Sequence, residues 1–421
     1  GGGGRGERVV FMGGGAAGLL AAGSAALRGA QVILFEKTDE LGKKLQIAGK
    51  GRCNLTNAGD REELIAGYAA GGPFLYSAFA RFDNQALISL FQRLGVPTKV
   101  ERGRRVFPVS DDARQVARAL KDWVEGLGVE VCLNQPVGSL VTDGGSTKKI
   151  VGCRVKDRVV PGGKVILCTG GCSYPGTGST GDGYRMAKEI GHRITPLRAA
   201  LVPLRSSTPW VKEVQGLALR NVTASLWADD KELSSEFGEM LFTHFGVSGP
   251  IILTMSRSAL DYWQDRPGEP LTLAIDLKPA LTPDKLDLRI QRDFGKYSRK
   301  QLINGLRDLL PKALIPVILS LTGLDPTKPV HQVTREERRA LGRIIKGVPL
   351  AITGALPLAA AIVTAGGVNL KEVDPRTMES RLVKGLYLAG EVLDIDGYTG
   401  GYNLQAAFST GWLAGWHGAA D

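Results

Sequence analysis

The residues with the clearest chemical meaning are three glycines near the start of the printed sequence. Gly13, Gly15 and Gly18 form the pattern G-x-G-x-x-G, with Ala16 and Ala17 between the last two glycines. The first glycine of this pattern permits a tight turn, the second lets a pyrophosphate approach the backbone, and the third lets a helix pack closely on a strand. The free N–H groups and the dipole at the start of that helix attract phosphates. The spacing therefore predicts a dinucleotide-binding turn.

Glu36 is the acidic residue that such a turn requires. It follows the apolar run 32–35 (VILF), which predicts a second strand, and it lies roughly 20 residues beyond the glycines, where dinucleotide-binding proteins place a carboxylate. We expect this carboxylate to accept hydrogen bonds from a ribose and to disfavour a nucleotide with a 2′-phosphate. The alternative is a glycine-rich turn of an α/β protein that binds no ligand.

The cysteines raise the question of redox chemistry. Flavoenzymes with a redox-active disulfide need a second cysteine a few residues after the first, whereas the next cysteine after Cys53 is Cys132. Cys168 and Cys172 form a C-x-x-x-C pair, but Cys168 closes an apolar strand, which favours core packing over reactivity. An odd number of cysteines without a C-x-x-C pair indicates neither a disulfide framework nor a zinc knuckle, and it fits a reducing cytoplasm best.

The sequence offers few other groups for catalysis. It has four histidines and neither an H-E-x-x-H motif nor a paired Cys/His spacing, so a metal site has little support. A Walker loop, a Ser/His/Asp set and a carboxylate pair at a recognisable spacing are also missing. His244, between Phe242 and Phe245, is a candidate proton donor, as are Tyr174 and Tyr402. The alternative for each of the three is a packed, hydrogen-bonded residue.

The N-terminal elements that must position these residues are typical of an α/β domain. Apolar runs and 3.6-residue periodicity predict strands at 8–12, 31–36, 129–133 and 164–168, and helices at 16–28, 87–94 and 116–127. The first strand, helix and second strand form a βαβ unit around the glycine turn. Ser110 is the expected N-cap of the third helix.

The pattern changes after Pro196. Alternating apolar residues at 221–228 and 271–277 predict half-buried strands. Helical periodicity begins at residue 281, with Thr282 as N-cap before Pro283, and a second helix start has Thr334 and Glu337 as a capping box. A strand at 385–390 and a last helix from about residue 402 return to the α/β pattern.

We therefore predict an α/β fold in which a Rossmann-like, two-part nucleotide-binding domain carries an inserted β domain and a helical subdomain. The predicted boundaries are 7–196 and 373–421 for the nucleotide-binding domain, 197–280 and 344–372 for the β domain, and 281–343 for the helical subdomain.

Composition and hydropathy exclude several classes. A hydrophobic fraction of 43% over 421 residues supports several packed cores and argues against a disordered or fibrous chain. The uncharged runs 9–27 and 349–370 are as long as a membrane span, but both are interrupted by glycines, and the second also contains a proline. Such runs suit buried strands and turns, so we expect no membrane segment.

The charge balance leaves two interpretations open. Lys and Arg total 53 against 42 Asp and Glu, which gives a net charge of +11. An excess of this size recruits polyanions such as nucleic acid, or it forms only a solvated basic surface. The basic residues occur in short groups without a sustained tract or interleaved aromatic residues, which makes nucleic-acid binding the weaker interpretation.

Further motifs follow the glycine turn in a fixed order. They are Glu36-Lys37 with 41–45 (LGKKL), 49–57 (GKGRCNLTN), 104–110 (RRVFPVS), 169–184 (TGGCSYPGTGSTGDGY), 242–250 (FTHFGVSGP), 364–368 (TAGGV), and 385–405 (GLYLAGEVLDIDGYTGGYNLQ). In this set the sequence resembles, over nearly its whole length, the bacterial NAD(P)/FAD-dependent oxidoreductases. That family includes aminoacetone-oxidase-like and bile-acid-reductase-like (BaiN-type) flavoproteins.

The resemblance implies that FAD is the cofactor and that residues far apart in the sequence contact it. Its contacts would include Lys37, Lys44, Arg52, Cys53, Asn54, the backbone of Val137 beside adenine, and Thr169 with Gly170 closing over the cofactor. Near the flavin, Glu391 would accept from ribityl hydroxyls, Gly400 and Gly401 would make room for the ring, and a helix starting near Asn403 and Leu404 would point at it. A helix N-terminus there stabilises the negative charge of a reduced flavin. The resemblance also places His244 near the active cleft.

The predicted function is that of an FAD-dependent oxidoreductase. It would transfer hydride or electrons between a small organic substrate or NAD(P)H and either oxygen or an unsaturated acceptor. The flavin performs the redox chemistry while the protein orients the substrate. A second G-x-G-x-x-G is missing from the later part of the sequence, so NAD(P)H would be a transient donor without a binding domain of its own.

Two other functions stay open at this stage. One is an RNA-associated flavoprotein resembling the flavin-dependent tRNA modification proteins, which the net charge of +11 suggests. The other is a flavin-binding protein with a structural or sensing role.

Overall fold

The computed structural model describes residues 8–169, 181–356 and 363–420. The chain divides into two compact units, one of residues 1–200 with residues 358–421 and the other of residues 201–357. The second unit is thus inserted between two stretches of the first. The finer division into three domains, with its boundaries at residues 196, 280, 343 and 372, stays a prediction.

The first unit alternates strands and helices. Its strands are β1 Val9–Met12, β2 Val32–Phe35, β3 Thr56–Asn57, β4 Tyr68–Ala70, β5 Thr98–Glu101, β6 Arg105–Pro108, β7 Glu130–Cys132, β8 Val137–Thr142, β9 Ile150–Val155, β10 Arg158–Pro161, β11 Lys164–Leu167, β12 Ile194–Ala200, β19 Val363–Val368, β20 Leu386–Leu388 and β21 Asp396–Gly397. Its helices are α1 Ala16–Leu27, α2 Arg61–Ala66, α3 Tyr76–Arg81, α4 Asn84–Arg93, α5 Ala113–Gly126, α6 Asp182–Glu189 and α12 Tyr402–Gly418, with short 3-10 helices that include Leu45–Gly51 and Gly390–Val392.

Five parallel strands form the central sheet of the first unit, in the order β20, β11, β1, β2, β7. Strands β1 and β2 are buried throughout, with Val9 paired to Val32 and Met12 paired to Phe35. Continuous apolar runs are expected for parallel strands that are covered on both faces. Strand β20 pairs with β11, so the C-terminal part of the sequence lies in the same sheet as the N-terminal part.

Helices α1 and α12 pack along each other at very short range. A Cβ at Gly411 of α12 would lie 2.2 Å from the backbone oxygen of Ala17 in α1, and a Cβ at Gly415 would lie 2.0 Å from that of Ala21. Only glycine allows backbones this close. Because Gly411 faces Ala17 and Gly415 faces Ala21, the two helices run parallel. Tyr402, the first residue of α12, precedes Gly411 by nine residues, so α12 extends about 14 Å beyond Ala17 at 1.5 Å per residue.

Two predicted helix caps are confirmed. Thr282 accepts from the backbone N–H of Lys285 and starts the helix Pro283–Lys296, while Thr334 and Glu337 form the reciprocal bonds of a capping box at the start of the helix Arg335–Ile345. These caps fix where each helix begins.

The prediction of Ser110 as the N-cap of α5 is wrong. Asp112 takes this place, because its side chain accepts from the backbone N–H of Arg114. The Ser110 hydroxyl instead accepts from the N–H of Asp112. The intervening Asp111 has a left-handed φ of 54°, which turns the chain before the helix begins.

The second unit is a small barrel whose helices lie between its strands in sequence. Its strands are β13 Leu204–Ser206, β14 Ala218–Ala228, β15 Lys231–Phe242, β16 Gly246–Ser248, β17 Leu271–Asp276 and β18 Val348–Ala355, which close in the order β13, β16, β15, β14, β17, β18. Its helices are α7 Pro250–Asp265, α8 Pro283–Lys296, α9 Leu302–Gly305, α10 Ile315–Thr322 and α11 Arg335–Ile345. The predicted alternation in β14 is confirmed, with Val222, Ala224 and Leu226 buried.

Both uncharged runs form short strands, and the first also forms a helix of 12 residues. The first holds β1 and α1, and the second contains β18 and β19 in its described parts. Within the three described ranges, no helix combines the length and the apolar character needed to cross a bilayer. The same ranges contain no group of three or more His, Cys, Asp or Glu side chains placed to hold a metal ion.

The close packing of α12 on α1 gives a stability prediction. Gly415→Ala places a methyl group against the Ala21 carbonyl, so we expect a loss of about 1–3 kcal/mol in the free energy of unfolding. Gly126 is the matched control, because no described atom lies within 4 Å of its Cβ position at the end of α5. Gly126→Ala should instead stabilise by up to about 1 kcal/mol. Thermal unfolding measures both, and equal effects of the two changes would contradict the packing described for α1 and α12.

Candidate functional site

The glycine turn has the shape that the motif predicts. Gly13 has a left-handed φ of 104°, and a Cβ there would lie 2.8 Å from the backbone oxygen of Cys168. A Cβ at Gly18 would lie only 1.7 Å from the Gly13 oxygen, so helix and strand approach as closely as the third glycine allows. Gly15 differs, since no described atom lies within 4 Å of its Cβ position. Among the described residues, the space beside Gly15 is therefore unfilled, as the motif requires.

The start of α1 has donors that the described side chains leave free. Gly15 is the N-cap residue, and no described side chain caps the helix there. The first N–H groups of a helix lack intrahelical partners, so those of Ala16, Ala17 and Gly18 are available to a ligand at this end of the helix. This arrangement suits an anion.

Glu36 lies beside the turn and is almost fully buried, at 9% exposure. One carboxylate oxygen accepts from the N–H of Gly14 at 2.9 Å, and the other accepts from the N–H and the hydroxyl of Thr38 at 2.6 and 2.7 Å. These bonds fix the carboxylate at the end of β2. The oxygen bound to Gly14 keeps a lone pair that a ribose hydroxyl could use, whereas the other oxygen uses both of its lone pairs on Thr38.

Two residues proposed to contact the cofactor, Lys44 and Glu391, form an ion pair although they lie far apart in the sequence. Lys44 donates to both carboxylate oxygens of Glu391 at 2.8 Å, and both side chains are about one-fifth exposed. Gly390 holds Glu391 near the glycine turn, because a Cβ at Gly390 would lie 2.8 Å from the Cβ of Ala17. Lys37 pairs with Asp182 at the start of α6, at 2.9 Å.

The 49–54 loop is fixed by its own contacts. The Arg52 guanidinium lies over the ring of Phe107 at 4.0 Å and pairs with Glu101 and Asp111. These two carboxylates raise its pKa, so Arg52 stays charged. Its guanidinium is thereby engaged within the protein, and a contact to the cofactor stays a prediction.

Cys53 is fully buried in this loop with a left-handed φ of 62°. Burial raises the pKa of its thiol to about 12, so the thiolate needed for redox chemistry does not form near neutral pH. Burial likewise raises the pKa of the Cys168 thiol. Both cysteines are therefore inert core residues, while Cys172 lies outside the described residues.

The start of α12 is a second helix N-terminus without a described side-chain cap. Its N-cap residue Gly401 has a φ of 96°, and a Cβ there would lie 2.4 Å from the backbone oxygen of Thr56. The positive φ and the nearby Thr56 carbonyl are sufficient to require glycine at 401. That this glycine also makes room for a flavin ring stays a prediction. With the Asn54 amide turned so that its nitrogen donates to the carbonyls of Thr56 and Val106, its oxygen accepts from the Gly401 N–H at 2.9 Å, which ties this helix start to the 49–54 loop.

The side chains around this helix start are also held in place. Asn403 exchanges two hydrogen bonds with the backbone of Gly397, at 2.8 and 3.0 Å, while Leu404 is half-buried. The Tyr402 ring meets that of Tyr68 edge-on, with ring centres 5.8 Å apart, and the Tyr68 hydroxyl donates to the Tyr402 carbonyl. Burial, together with the charge of Glu63, raises the pKa of Tyr402.

The remaining predicted site residues lie in several places. Thr169 follows β11, and its buried hydroxyl has no hydrogen-bond partner among the described residues, as expected of a group that contacts a ligand. Val137 begins β8 and is half-buried. His244 is exposed in the second unit, with its ring edge-on to Phe245. Gly170 and Tyr174 lie outside the described residues.

Sequence reasoning missed several residues that support the site. Thr38 supplies two of the donors to Glu36, and Tyr184 donates to the carbonyl of Glu391 at 3.1 Å. Asn57 reaches the carbonyl of Gly400 at 3.3 Å. A threonine two residues after a carboxylate is a recognisable turn signal, whereas the contacts of Asn57 and Tyr184 join distant parts of the sequence.

Comparison with known proteins agrees with this fold. The chain matches the model of the HI0933-like protein Rossmann domain over residues 7–417. It is 32% identical over 411 residues to a 3-dehydro-bile acid delta(4,6)-reductase of Clostridium scindens, covering 97% of this chain and 98% of that protein. It is 33% identical over 405 residues to a ribosomal RNA dihydrouridine synthase of Escherichia coli, covering 96% of each.

A solved structure with the same architecture has little sequence similarity. The 3-ketosteroid delta1-dehydrogenase of Sterolibacterium denitrificans aligns with a TM-score of 0.56 at 15% identity, over 98% of this chain and 99% of that one. At this identity the likeness concerns the fold alone. The predicted α/β, Rossmann-like fold class is confirmed.

The contacts of Glu36 give a prediction for cofactor affinity. Glu36→Ala leaves the donors at Gly14 and Thr38 without their acceptor, so we expect FAD to bind about 10- to 100-fold more weakly, since hydrogen bonds to a charged group contribute about 1.5–3 kcal/mol. Glu36→Gln keeps one acceptor and should lose less. Fluorescence titration of the apoprotein measures the three dissociation constants.

The control for this titration is Asp39→Asn, because Asp39 is exposed and pairs with Lys43 only four residues away. It should bind FAD as the unaltered protein does. Equal dissociation constants for the Glu36 variants and the unaltered protein would show that Glu36 does not contact the nucleotide.

Proposed function

The chain belongs to the HI0933-like Rossmann-domain family, and we propose that it reduces a carbon–carbon double bond conjugated to a carbonyl group, with FAD as its cofactor. Its broader class is that of an FAD-dependent oxidoreductase. The observation that carries the proposal is the relation between two helix starts in the first unit. Helices α1 and α12 run parallel, and α12 begins about 14 Å further along the same direction.

Two helix starts at this separation suit the two ends of a flavin dinucleotide. The start of α1 would hold the pyrophosphate beside Gly15, and the start of α12 would face the flavin ring. Glu36 would hold the ribose of the adenosine. FMN has no adenosine part, so a site that includes Glu36 favours FAD. Glu391 follows Gly390, which lies against Ala17, and with its partner Lys44 it would line the path of the ribityl chain.

The bond that is reduced is inferred from what the two relatives share. In chemical terms both names describe the addition of two hydrogen atoms across a double bond: the Δ4 and Δ6 bonds of a 3-dehydro bile acid, or the C5–C6 bond of uridine in ribosomal RNA. In both molecules a carbonyl group is conjugated to that bond. A hydride adds to the carbon remote from the carbonyl, and a proton adds to the adjacent carbon.

FAD, when bound, supplies the hydride after accepting it from NAD(P)H. Overall, NAD(P)H, a proton and the unsaturated carbonyl compound give NAD(P)⁺ and the saturated product. The N–H groups at the start of α12 favour negative charge beside them, as required where electrons accumulate.

Tyr402 is the proposed source of the proton. It is the first residue of α12, next to the proposed ring position, and its raised pKa keeps the hydroxyl protonated beyond pH 10, the usual value for tyrosine. The other two candidates are less well supported, because His244 belongs to the second unit and Tyr174 is outside the described residues.

The short groups of basic residues make nucleic acid the weaker interpretation of the sequence, but the concentration of charge in one segment favours uridine in RNA over a free small molecule as the acceptor. The segment 281–346, all of which the structure describes, contains 14 Lys and Arg but only 7 Asp and Glu. It thus contributes +7 of the net +11. A neutral or anionic enone would not need such a surface, whereas a polyanion binds to one.

Anaerobic half-reactions test the proposal. The purified protein should be yellow, NADH or NADPH should bleach its flavin absorbance, and an unsaturated acceptor should restore that absorbance while oxygen is excluded. A 4-ene-3-ketosteroid and an unmodified ribosomal RNA transcript are the two acceptors to compare. Mass spectrometry of the nucleosides should show uridine that has gained two hydrogen atoms.

If only the steroid reoxidises the flavin, the substrate is a small enone and not RNA, while the proposed type of reaction is unchanged. A protein without flavin, or a reduced flavin that neither acceptor reoxidises, would contradict the proposal.

Tyr402→Phe separates the two half-reactions. We expect flavin reduction by NAD(P)H to be unchanged, while reoxidation by the acceptor slows about 10²- to 10⁴-fold, the usual contribution of a general acid. In the unaltered protein the reoxidation rate should stay constant up to pH 9, because the hydroxyl loses its proton only above its raised pKa.

The control is Tyr398→Phe, since Tyr398 is 37% exposed and lies in the same turn. This variant should behave as the unaltered protein in both half-reactions. Unchanged reoxidation in Tyr402→Phe would remove Tyr402 from the reaction.

A further inference from the structure

One face of helix α11 carries three arginines at every fourth position. Arg335, Arg339 and Arg343 are all exposed, and the structure shows no ion pair for any of them. Residues four apart lie on the same face, about 6 Å apart along the axis. We refer to these three residues as the arginine ladder. We propose that the arginine ladder binds the phosphate backbone of RNA, an inference that rests on the proposed uridine acceptor.

The acidic residues of the helical segment offset only part of the ladder's charge: Glu336 is exposed on α11, and Asp287 interacts with Arg339 beyond ion-pair distance. Four of the seven pair with other basic residues of the same segment: Asp287 with Arg338, Asp293 with Arg289, Asp308 with Lys296, and Glu337 with Lys328. Throughout 281–346, every residue of which is described, nine exposed basic residues have no ion pair: Lys285, Arg292, Arg299, Lys300, Arg307, Lys312, Arg335, Arg339 and Arg343. The excess positive charge therefore faces solvent.

Contacts with α8 fix which way the ladder points. Arg338 pairs with Asp287 of α8 at 2.8 Å, and Gly342 lies against Leu286 and Ile290 of the same helix. The capping box at Thr334 sets the first turn. Arg338 and Gly342 therefore face α8. The three arginines of the ladder lie to one side of this face and are exposed on the outer surface of the helix.

Helix stability alone does not account for the ladder, because Arg343 in the last turn favours the helix dipole but Arg335 in the first turn does not. Like charges four residues apart destabilise a helix by about 0.2–0.5 kcal/mol per pair, and a cation in the first turn opposes the helix dipole. Arg335 is the first residue of α11. An arrangement that costs folding energy on an exposed face points to a ligand, and guanidinium groups bind phosphates in a bidentate manner.

An RNA backbone fits this face better than an anionic membrane does. A helix that binds a membrane surface needs exposed apolar residues beside its charges. None of the large apolar residues of α11 is exposed, since Leu341 and Ile345 are buried and Ile344 is half-buried. The ladder therefore offers electrostatic contacts alone, as expected for a surface that positions a nucleic acid without reading its sequence.

Helix α5 supplies a matched control on the same chain. Arg114, Arg118 and Lys121 also follow one face at spacings of four and three, but Asp112 pairs with Arg114, and Asp122 and Glu125 lie on the same helix. These three basic residues match the ladder in number, but the three acidic residues balance their charge. The proposal predicts that it does not bind RNA.

The test compares two triple variants of the flavin-loaded, full-length protein. Arg335→Gln with Arg339→Gln and Arg343→Gln removes the ladder, and Arg114→Gln with Arg118→Gln and Lys121→Gln removes the same charge from α5. Flavin content and melting temperature check that both variants fold. Binding of a fluorescently labelled ribosomal RNA transcript is then measured over a series of salt concentrations.

The ladder variant should bind RNA at least about tenfold more weakly at low salt. The slope of log K against log salt should decrease by about 2 to 3, because each phosphate contact contributes about 0.7 to 0.9. The α5 variant should keep the slope of the unaltered protein. Equal losses in both variants, no loss in the ladder variant, or ladder-dependent binding to phosphatidylglycerol vesicles but not to RNA would each overturn the proposal.

The outcome for RNA binding is independent of the outcome for catalysis. If the ladder controls RNA binding but the transcript gains no hydrogen, the docking surface stands and the proposed acceptor is wrong. If uridine is reduced while the ladder variant binds and reacts as the unaltered protein does, the acceptor stands and the docking surface is wrong.

Discussion

The close, parallel contact between α1 and α12 is the constraint on which the site depends. Glycines at 411 and 415 bring the backbone of α12 against Ala17 and Ala21 of α1. This contact joins the C-terminal part of the chain to the first βαβ unit, and β20 beside β11 strengthens the same connection. Because the helices are parallel and offset, their N-termini present donors in one direction at two positions about 14 Å apart. A looser or antiparallel packing would remove the second position.

Local contacts then prepare each helix start for a ligand. At α1, Glu36 holds the glycine turn through Gly14, and no described atom fills the space beside Gly15. At α12, the Asn54 amide holds the Gly401 N–H, and Asn403 fixes the preceding turn. Lys44 and Glu391 neutralise each other beside the first of these positions, so charge is balanced without a ligand. The two helix starts thus carry free donors, while the excess of basic residues in 281–346 belongs to the other unit.

Short-range rules predicted much of this from the sequence. The glycine turn, Glu36 and the capping residues Thr282 and Thr334 act over a few residues, so their spacing is sufficient. Ser110 failed because two potential caps, Ser110 and Asp112, lie within one turn, and the left-handed backbone at Asp111 decides between them. The ion pair of Lys44 with Glu391 and the reason for glycine at 401 involve residues hundreds of positions apart. Periodicity does not record such contacts, and only the resemblance to a flavoprotein family pointed to these residues.

The most direct test of this account is a crystal structure of the purified protein with the cofactor that it retains. The account predicts FAD, with its pyrophosphate at the start of α1 beside Gly15, its adenosine ribose on Glu36, and its ring at the start of α12 near Gly401. FMN alone, or a ring bound away from the start of α12, would contradict the claim that the two parallel helix starts define the site.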